Sequence, residues 1–534
     1  MSGSAIQLEH LTTDAIRAGT LRGRSVTVLG LARSGIALAR FFVDAGARVT
    51  VYDGRPAGEL TRAIESLGGR AVELRLGPDV EPASTWADAD LIATSPSINP
   101  DFPTAEPKLR AALQAVVAAH RADPAGAPAL VSETDLVLRM CPCPTIGVTG
   151  TKGKTTTSSL LAALLAADSA HPVVLGGNIG IPLVERLPEL TPNHRVVIEL
   201  SELQMPTLSC GTTVAVYTNV TADHLDRHGS LEAYRKVKHR LAELVDPAGV
   251  LVLNADDPIA AAYENGATVP VVTYRRGLPV AAGMGVEDGW IVADGVGRLA
   301  RAGVVAGPEV AGPEVAAPVL ASAAGPVVRC RIMPIAELAI PGAHNVSNAM
   351  AAIAVALMFG VAPDAIRVAT AAFTGVEHRL EQVALVDGVR FINDSQGTQP
   401  DAVIAALRSF PRPLILIAGG RDKGVDLSGL GPVAAERADA AVLIGESGPA
   451  LAAMFKADGL ARVEEAATLE SAVDRADEIA RGLLADGGQA GPATVLLSPA
   501  AASFDMFVDY AARGRAFRTA AEAVAERRRV AGQV

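Results

Sequence analysis

The stretch Gly150-Thr-Lys-Gly-Lys-Thr-Thr156 carries the residue types of a phosphate-binding loop. Glycines let backbone N–H groups converge on one anion, a lysine adds a point charge at the outer phosphates, and the hydroxyl just after it meets Mg²⁺. On this reading Gly150, Thr151, Lys152, Gly153, Lys154, Thr155 and Thr156 surround a polyphosphate, with Lys154 on the phosphates and Thr155 on the metal. The spacing departs from the standard pattern, because Gly150 and Gly153 enclose only Thr151 and Lys152, and Gly147 lies too far back. The alternative is a plain glycine turn between a strand and a helix.

A phosphate-bound metal needs further oxygen or imidazole ligands. Glu199 sits near the end of the apolar run 196–200, and Asp223, His224 and Asp226 follow the run 214–219. In a parallel sheet such strand ends gather where the loop opens, so Glu199 and His224 are the first-choice metal ligands beside Thr155. Lys238 lies in Tyr234-Arg-Lys-Val-Lys-His-Arg-Leu241, a helix starting near Ser230. By residue type alone it reads as a solvated helix lysine.

These side chains need a frame, and its elements follow from periodicity. Thr145–Val148 reads as a buried strand, and residues 154–167 as a helix whose N-terminus faces the loop. Further strands are expected at 173–176, 196–200, 214–219 and 250–254, with helices between them. That alternation implies a mostly parallel sheet with covered faces. Upstream, a strand at 26–30, the turn Gly30-Leu-Ala-Arg-Ser-Gly35, a helix at 36–45 and a strand at 49–53 form a βαβ opening. Ala32 stands where the dinucleotide fingerprint has its middle glycine. The turn therefore reads either as a nucleotide turn with Asp53 as ribose-binding carboxylate, or as a packing turn. A strand at 91–95 and a helix at 111–122 follow, and Pro124 and Pro128 mark a boundary near residue 130. Residues 276–330, rich in Ala, Gly, Pro and Val, read as a surface insertion with short strands. After a helix at 345–358, strands at 389–393, 414–418, 441–444 and 494–497 again alternate with helices, so the fold class is α/β.

Composition limits the function. At 534 residues with 49% hydrophobic residues, the chain can bury several cores. A net charge of -11 argues against non-specific nucleic-acid binding. Of four cysteines, Cys141 and Cys143 lie close together and Cys210 and Cys330 are isolated, so no zinc or disulfide pattern is expected, in keeping with a reducing cytoplasm. Residues 1–24 contain Glu9 and Asp14 and no apolar core, so no signal peptide is expected; nor is any membrane insertion.

Together the segments resemble the ATP-dependent Mur ligases, which build the peptide stem of the cell-wall precursor. The Gly-Lys-Thr-Thr loop, Gly177-Asn-Ile-Gly180, Asn219-Val-Thr-Ala-Asp-His224, Pro341-Gly-Ala-His-Asn-Val-Ser-Asn348 and His378-Arg379 recur in order. Phe391-Ile-Asn-Asp-Ser-Gln-Gly-Thr-Gln-Pro-Asp401, Gly419-Gly-Arg-Asp-Lys-Gly-Val-Asp426 and Leu497-Ser-Pro-Ala-Ala-Ala-Ser-Phe-Asp505 resemble the D-glutamate-adding branch.

The resemblance implies three domains: a Rossmann-like domain at 1–130 for the UDP of the substrate, a P-loop-type ATPase domain at 131–374, and a Rossmann-like domain at 375–534 for the amino acid. The third would close about a hinge at 374–379. Leu31, Arg33 and Ser34 would lie near the diphosphate, and Asp53, Gly54 and Arg55 near the uracil. Asn178 and His224 would face the sugar-peptide, Asn345 and Asn348 the adenine, and His378 and Arg379 the phosphates. Thr398, Lys423, Ser503 and Tyr510 fall at the amino-acid positions. Lys238 falls where the family has a lysine carbamylated by CO₂, which would join Thr155, Glu199 and His224 in holding two Mg²⁺. Lys154, Glu199, His224 and Lys238 are the implied catalytic set. The implied substrates are UDP-N-acetylmuramoyl-L-alanine, glutamate and ATP, joined through an acyl phosphate by a monomer. Three positions depart from the pattern: Gln396 replaces a lysine, Glu202 a serine and Ser97 a glycine. The rivals are a Mur-type or folylpolyglutamate-type ligase for another amino acid, a non-catalytic nucleotide-binding regulator, and a nicotinamide-dependent oxidoreductase using the Gly30–Gly35 turn.

Overall fold

The structure is a computed structural model that describes residues 5–101, 106–221, 228–297, 329–340, 342–422, 427–485 and 491–531. The chain forms two compact units, Met1–Phe373 and Thr374–Val534.

In the first unit, Ser25–Leu29 (β1), Arg48–Asp53 (β2), Val72–Leu76 (β3), Leu91–Thr94 (β4) and Ala129–Ser132 (β5) form a parallel sheet in the order β3-β2-β1-β4-β5. The order switches direction at β1, and a crevice opens there beyond the carboxyl ends of the strands. A Cβ at Gly35 would stand 1.7 Å from the carbonyl oxygen of Gly30. Close packing of the helix Arg33–Asp44 on the strand end therefore accounts for that glycine. β5 pairs with β4, Leu91 opposite Ala129, so the boundary expected near residue 130 falls inside this sheet. The prolines mark a connection to an added strand instead.

A second sheet follows: Thr145–Thr149 (β6), Val173–Gly177 (β7), Arg195–Glu199 (β8), Val214–Tyr217 (β9), Val250–Asn254 (β10), Val271–Tyr274 (β11), Gly283–Glu287 (β12), Trp290–Asp294 (β13) and Cys330–Pro334 (β14). Its order is β14-β13-β12-β11-β10-β9-β6-β8-β7, antiparallel only at β12–β13 and β13–β14. The short strands expected within 276–330 are present in its described part. Its described flanks are sheet edge, with Met284, Ile291 and Ala293 buried in the core. Short strands in an Ala- and Gly-rich background leave little periodic signal.

The two sheets of this unit share one core. Leu136 and Val137 on the helix Glu133–Met140, and Leu183, Val184 and Leu187, cluster with Val28 and Phe42 on one side and Val196 on the other. Continuous apolar packing of this kind makes the pair one body.

The second unit has Glu381–Val386 (β15), Val389–Asn393 (β16), Leu414–Gly419 (β17), Ala440–Ile444 (β18), Val463–Glu465 (β19) and Ala493–Leu497 (β20). The order is β15-β16-β20-β17-β18-β19, with only β15–β16 antiparallel. The helices Leu469–Ala485 and Tyr510–Ala531 join one core, and Pro400–Ser409, Leu430–Arg437 and Gly448–Ala457 another. Among the described residues no helix is long and apolar enough to cross a membrane.

Candidate active site

The phosphate-type loop leaves β6, between β9 and β8 in the second sheet, and is held from β9. Thr151 N donates to Asn219 O at 2.8 Å and Lys152 N to the Asn219 side-chain oxygen at 2.9 Å. Thr218 Oγ1 and Asn219 Nδ2 donate to Lys152 O at 2.6 and 2.9 Å. The hydroxyls of Thr151 and Tyr234 lie 3.0 Å apart. Gly153 caps the helix Lys154–Ala166 in a left-handed conformation. A helix N-terminus at a glycine-rich loop favours an anion, through its N–H groups and the helix dipole. A Cβ at Gly153 would meet Asn348 Oδ1 at 2.5 Å, so Asn348 abuts the loop. Asn348 also donates to Asn345 Oδ1 at 3.0 Å. Lys154 Nζ folds onto the loop carbonyls of Gly150 and Thr151, at 2.8 and 2.9 Å. Thr155 is buried and Thr156 half-buried.

Glu199 ends β8 beside the loop strand, with Val148 opposite it. Its Oε1 accepts from Asn178 Nδ2 at 2.9 Å, and Asn178 N donates to Glu199 O at 2.9 Å. Its Oε2 is buried with no partner among the described residues. A buried carboxylate oxygen left open beside a phosphate-type loop, with the Thr155 hydroxyl in the same loop, fits a hard cation such as Mg²⁺. Among the described residues no group of three or more His, Cys, Asp or Glu gathers as a metal site. Asp223, His224 and Asp226 lie outside the described residues, as does Lys423.

Lys238 is fully buried, which corrects its reading as a solvated lysine. Its Nζ donates to Thr149 Oγ1 at 3.1 Å and to Gly150 O at 3.2 Å. The signal for this was present. Tyr234, Lys238 and Leu241 recur at helical spacing and are the buried positions of the helix Leu231–Leu244. Thr218, Asn219 and Tyr234 are the other loop supports that residue type alone did not identify.

At the switch of the first sheet a cavity of about 570 Å³ is lined by Gly30, Tyr52, Asp53, Gly54, Glu81 and Lys108 among others. Asp53 accepts from Leu31 N at 2.8 Å, from Arg55 N at 3.0 Å, and from Arg55 Nε and Nη2 at 3.0 and 2.7 Å. Burial pushes its carboxyl up, but the Arg55 guanidinium and the two N–H groups outweigh this and hold it below the usual range. Arg33 Nη1 donates to Gly180 O at 3.0 Å, so it ties this sheet to the loop after β7. Ser34 lies in the first turn of the helix Arg33–Asp44.

In the second unit Asn393 ends β16 and Asp394 and Ser395 follow it, all three buried. Asp394 accepts from Ser498 Oγ at 2.7 Å and from Leu380 N at 3.2 Å, and burial pushes its carboxyl up to about 6. Thr398 N donates to Gln396 O at 2.8 Å, and Ser503 is buried. Gln396 Nε2 donates to Glu377 O at 3.3 Å. His378 turns inward, its Nδ1 2.9 Å from Asn393 Nδ2, and burial lowers its pKa. Arg379 is exposed, and Tyr510 starts the last helix.

A glycine-rich loop, the helix N-terminus behind it and a carboxylate at the neighbouring strand end define a P-loop-type nucleotide-binding enzyme built on parallel sheets. Three family models match in chain order: Mur ligase MurD-like, N-terminal domain, over residues 24–120; Mur ligase middle domain over 148–280; and Mur ligase, glutamate ligase domain, over 378–501. The chain is 35% identical over 512 residues to UDP-N-acetylmuramoylalanine--D-glutamate ligase of Symbiobacterium thermophilum, covering 95% of this chain and 100% of the relative. It is 36% identical over 497 residues to the enzyme of that name from Pelotomaculum thermopropionicum, covering 93% and 96%. The Acidobacterium capsulatum enzyme of that name is 35% identical over 500 residues, covering 93% and 96%. The chain belongs to the Mur ligase family. Mur ligases are ATP-dependent enzymes that form amide bonds and use Mg²⁺. The oxidoreductase alternative falls with that membership.

Proposed function

We propose that this protein joins D-glutamate to UDP-N-acetylmuramoyl-L-alanine at the expense of ATP, in cytoplasmic peptidoglycan precursor synthesis. The observation that supports the mechanism is the glycine-rich loop and helix N-terminus beside the buried Oε2 of Glu199, which has no partner among the described residues. Gly150 to Thr156 and the helix N-terminus behind them take the phosphates of ATP, with Asn345, Asn348 and Arg379 at its other contacts. Glu199, Thr155 and His224 hold the metal, and Lys238 joins them when carbamylated. Mg²⁺ bound there would neutralise phosphate charge so that a second anion can approach. The cavity at Asp53, Gly54 and Arg55, with Leu31, Arg33 and Ser34 beside it, takes the UDP. Asn178, already fixed to Glu199, faces the sugar-peptide. Thr398, Lys423, Ser503 and Tyr510 take the amino acid.

The chemistry answers a simple difficulty: a carboxylate is a poor electrophile with no leaving group. An alanyl carboxylate oxygen attacks the γ-phosphorus and the bond to ADP breaks, leaving an acyl phosphate. Lys154 and the loop N–H groups stabilise the charge spread over the transferring phosphoryl oxygens. The glutamate amine then attacks the acyl carbon, phosphate leaves, and one proton is released. Incubation of the protein with ATP, Mg²⁺ and UDP-N-acetylmuramoyl-L-alanine against a panel of amino acids tests this reading. ADP formation that requires D-glutamate supports it. Equal response to another amino acid makes it a different Mur-type ligase, and nucleotide binding without turnover makes it a regulator.

A further inference from the structure

Arg513 is fully buried in the second unit, and no carboxylate forms an ion pair with it among the described residues. A guanidinium out of water without a counter-ion is costly even when its N–H groups are satisfied. Burial pushes its pKa down to about 10, so it remains cationic at neutral pH, with Asp505 acting on it only through space.

Its donors reach loops from different strand ends. Nε donates to Ser395 Oγ and Nη2 to Ser395 O, both at 3.0 Å, in the loop after β16. Nη1 and Nη2 donate to Ala501 O at 3.3 Å, and Nη1 also to Ala502 O at 3.3 Å, in the loop after β20. Gly420, in the loop after β17, packs against the same group: a Cβ there would lie 3.1 Å from Nη1 and 2.3 Å from Ala502 O. Ser395 Oγ in turn donates to Tyr510 O at 2.7 Å, at the start of the helix that carries Arg513. These segments lead to Thr398, Ser503 and Tyr510.

We infer that Arg513 is the positioning residue that assembles the amino-acid pocket and biases it toward a dicarboxylate, an inference that rests on the ligase reading above. Its planar fork ties the loops after β16 and β20 in register with the Gly420 loop packed against it, and its charge, which has no ion-pair partner among the described residues, projects a positive potential toward them. A lysine would keep the charge and lose the fork; a methionine would lose both.

Steady-state kinetics of Arg513→Lys, Arg513→Met and Ser395→Ala test this. Arg513→Lys should raise the amino-acid KM by at least about tenfold while the KM values for ATP and the UDP substrate stay within about twofold. Ser395→Ala should move the amino-acid KM in the same direction. Arg513→Met should also narrow the kcat/KM preference for glutamate over glutamine, which Arg513→Lys should keep; a merely structural role would not separate these. If Arg513→Met does not fold, the other two variants carry the test. An unchanged amino-acid KM, or equal loss for all three substrates, in an active background overturns this inference alone. A wild-type protein that forms no ADP in response to glutamate overturns the ligase reading and this inference with it.

Discussion

Lys238 Nζ lies 3.1 Å from Thr149 Oγ1, with the whole lysine side chain out of solvent. A helix residue thereby reaches the root of the phosphate-type loop, against Thr149 and Gly150. Lys238→Met should cut kcat on the order of 100-fold. Stability should fall far less, because Gly150 O keeps Lys154 Nζ as a donor and Thr149 Oγ1 still donates to Leu200 O. Labelled bicarbonate should give a carbamate NMR signal in the wild type that the variant lacks. Undiminished turnover would remove Lys238 from the machinery.

Glu199→Gln keeps the shape of the side chain and can still accept from Asn178. It loses the charge that the unpartnered Oε2 offers to a cation. The Mg²⁺ concentration for half-maximal activity should rise at least about tenfold. Thermal stability without metal should hold or increase, since an open buried carboxylate is unfavourable. A Mg²⁺ titration that overlays the wild type would rule out Glu199 as a ligand.

Arg55→Ala removes the bidentate partner of Asp53 at the first-sheet cavity. The KM for the UDP substrate should rise by about tenfold, with the ATP KM unchanged, because the loss of a charge-assisted pair disorders only this cavity. A parallel rise in both constants would count against a UDP site here.

Asp394 takes its proton at about pH 6 in the folded protein, well above the usual 3.8. The folded state therefore binds this proton before the unfolded chain does, and its contribution to stability falls as pH rises from about 4 through 6. Asp394→Asn has no such proton, so its melting temperature relative to wild type should climb across that window and level off above it. A difference that stays flat with pH would place the titration elsewhere.

The strand, turn and helix around Gly150 to Thr156 were legible because their signals are local: an apolar run, glycines at tight φ, and a helix-forming sequence behind them. Glu199 at a strand end was legible for the same reason. β3 was missed because it alternates Val72, Leu74 and Leu76 with exposed Glu73 and Arg75, a weak edge pattern. β5 was missed because prolines precede it, whereas short strands were expected where β12 and β13 lie, without their place in the sheet.

From its residues alone, this chain declares alternating α/β units, a polyphosphate loop, and the family whose motifs it carries in order. It does not declare that Lys238 is buried under the loop, that Asn348 abuts Gly153, or that Arg513 ties the loops after β16 and β20 together. Those facts depend on parallel strands whose order is β9-β6-β8 in one sheet and β16-β20-β17 in another. Strand order is set by crossover packing between segments far apart in the chain, whereas periodicity and turn chemistry report only on near neighbours.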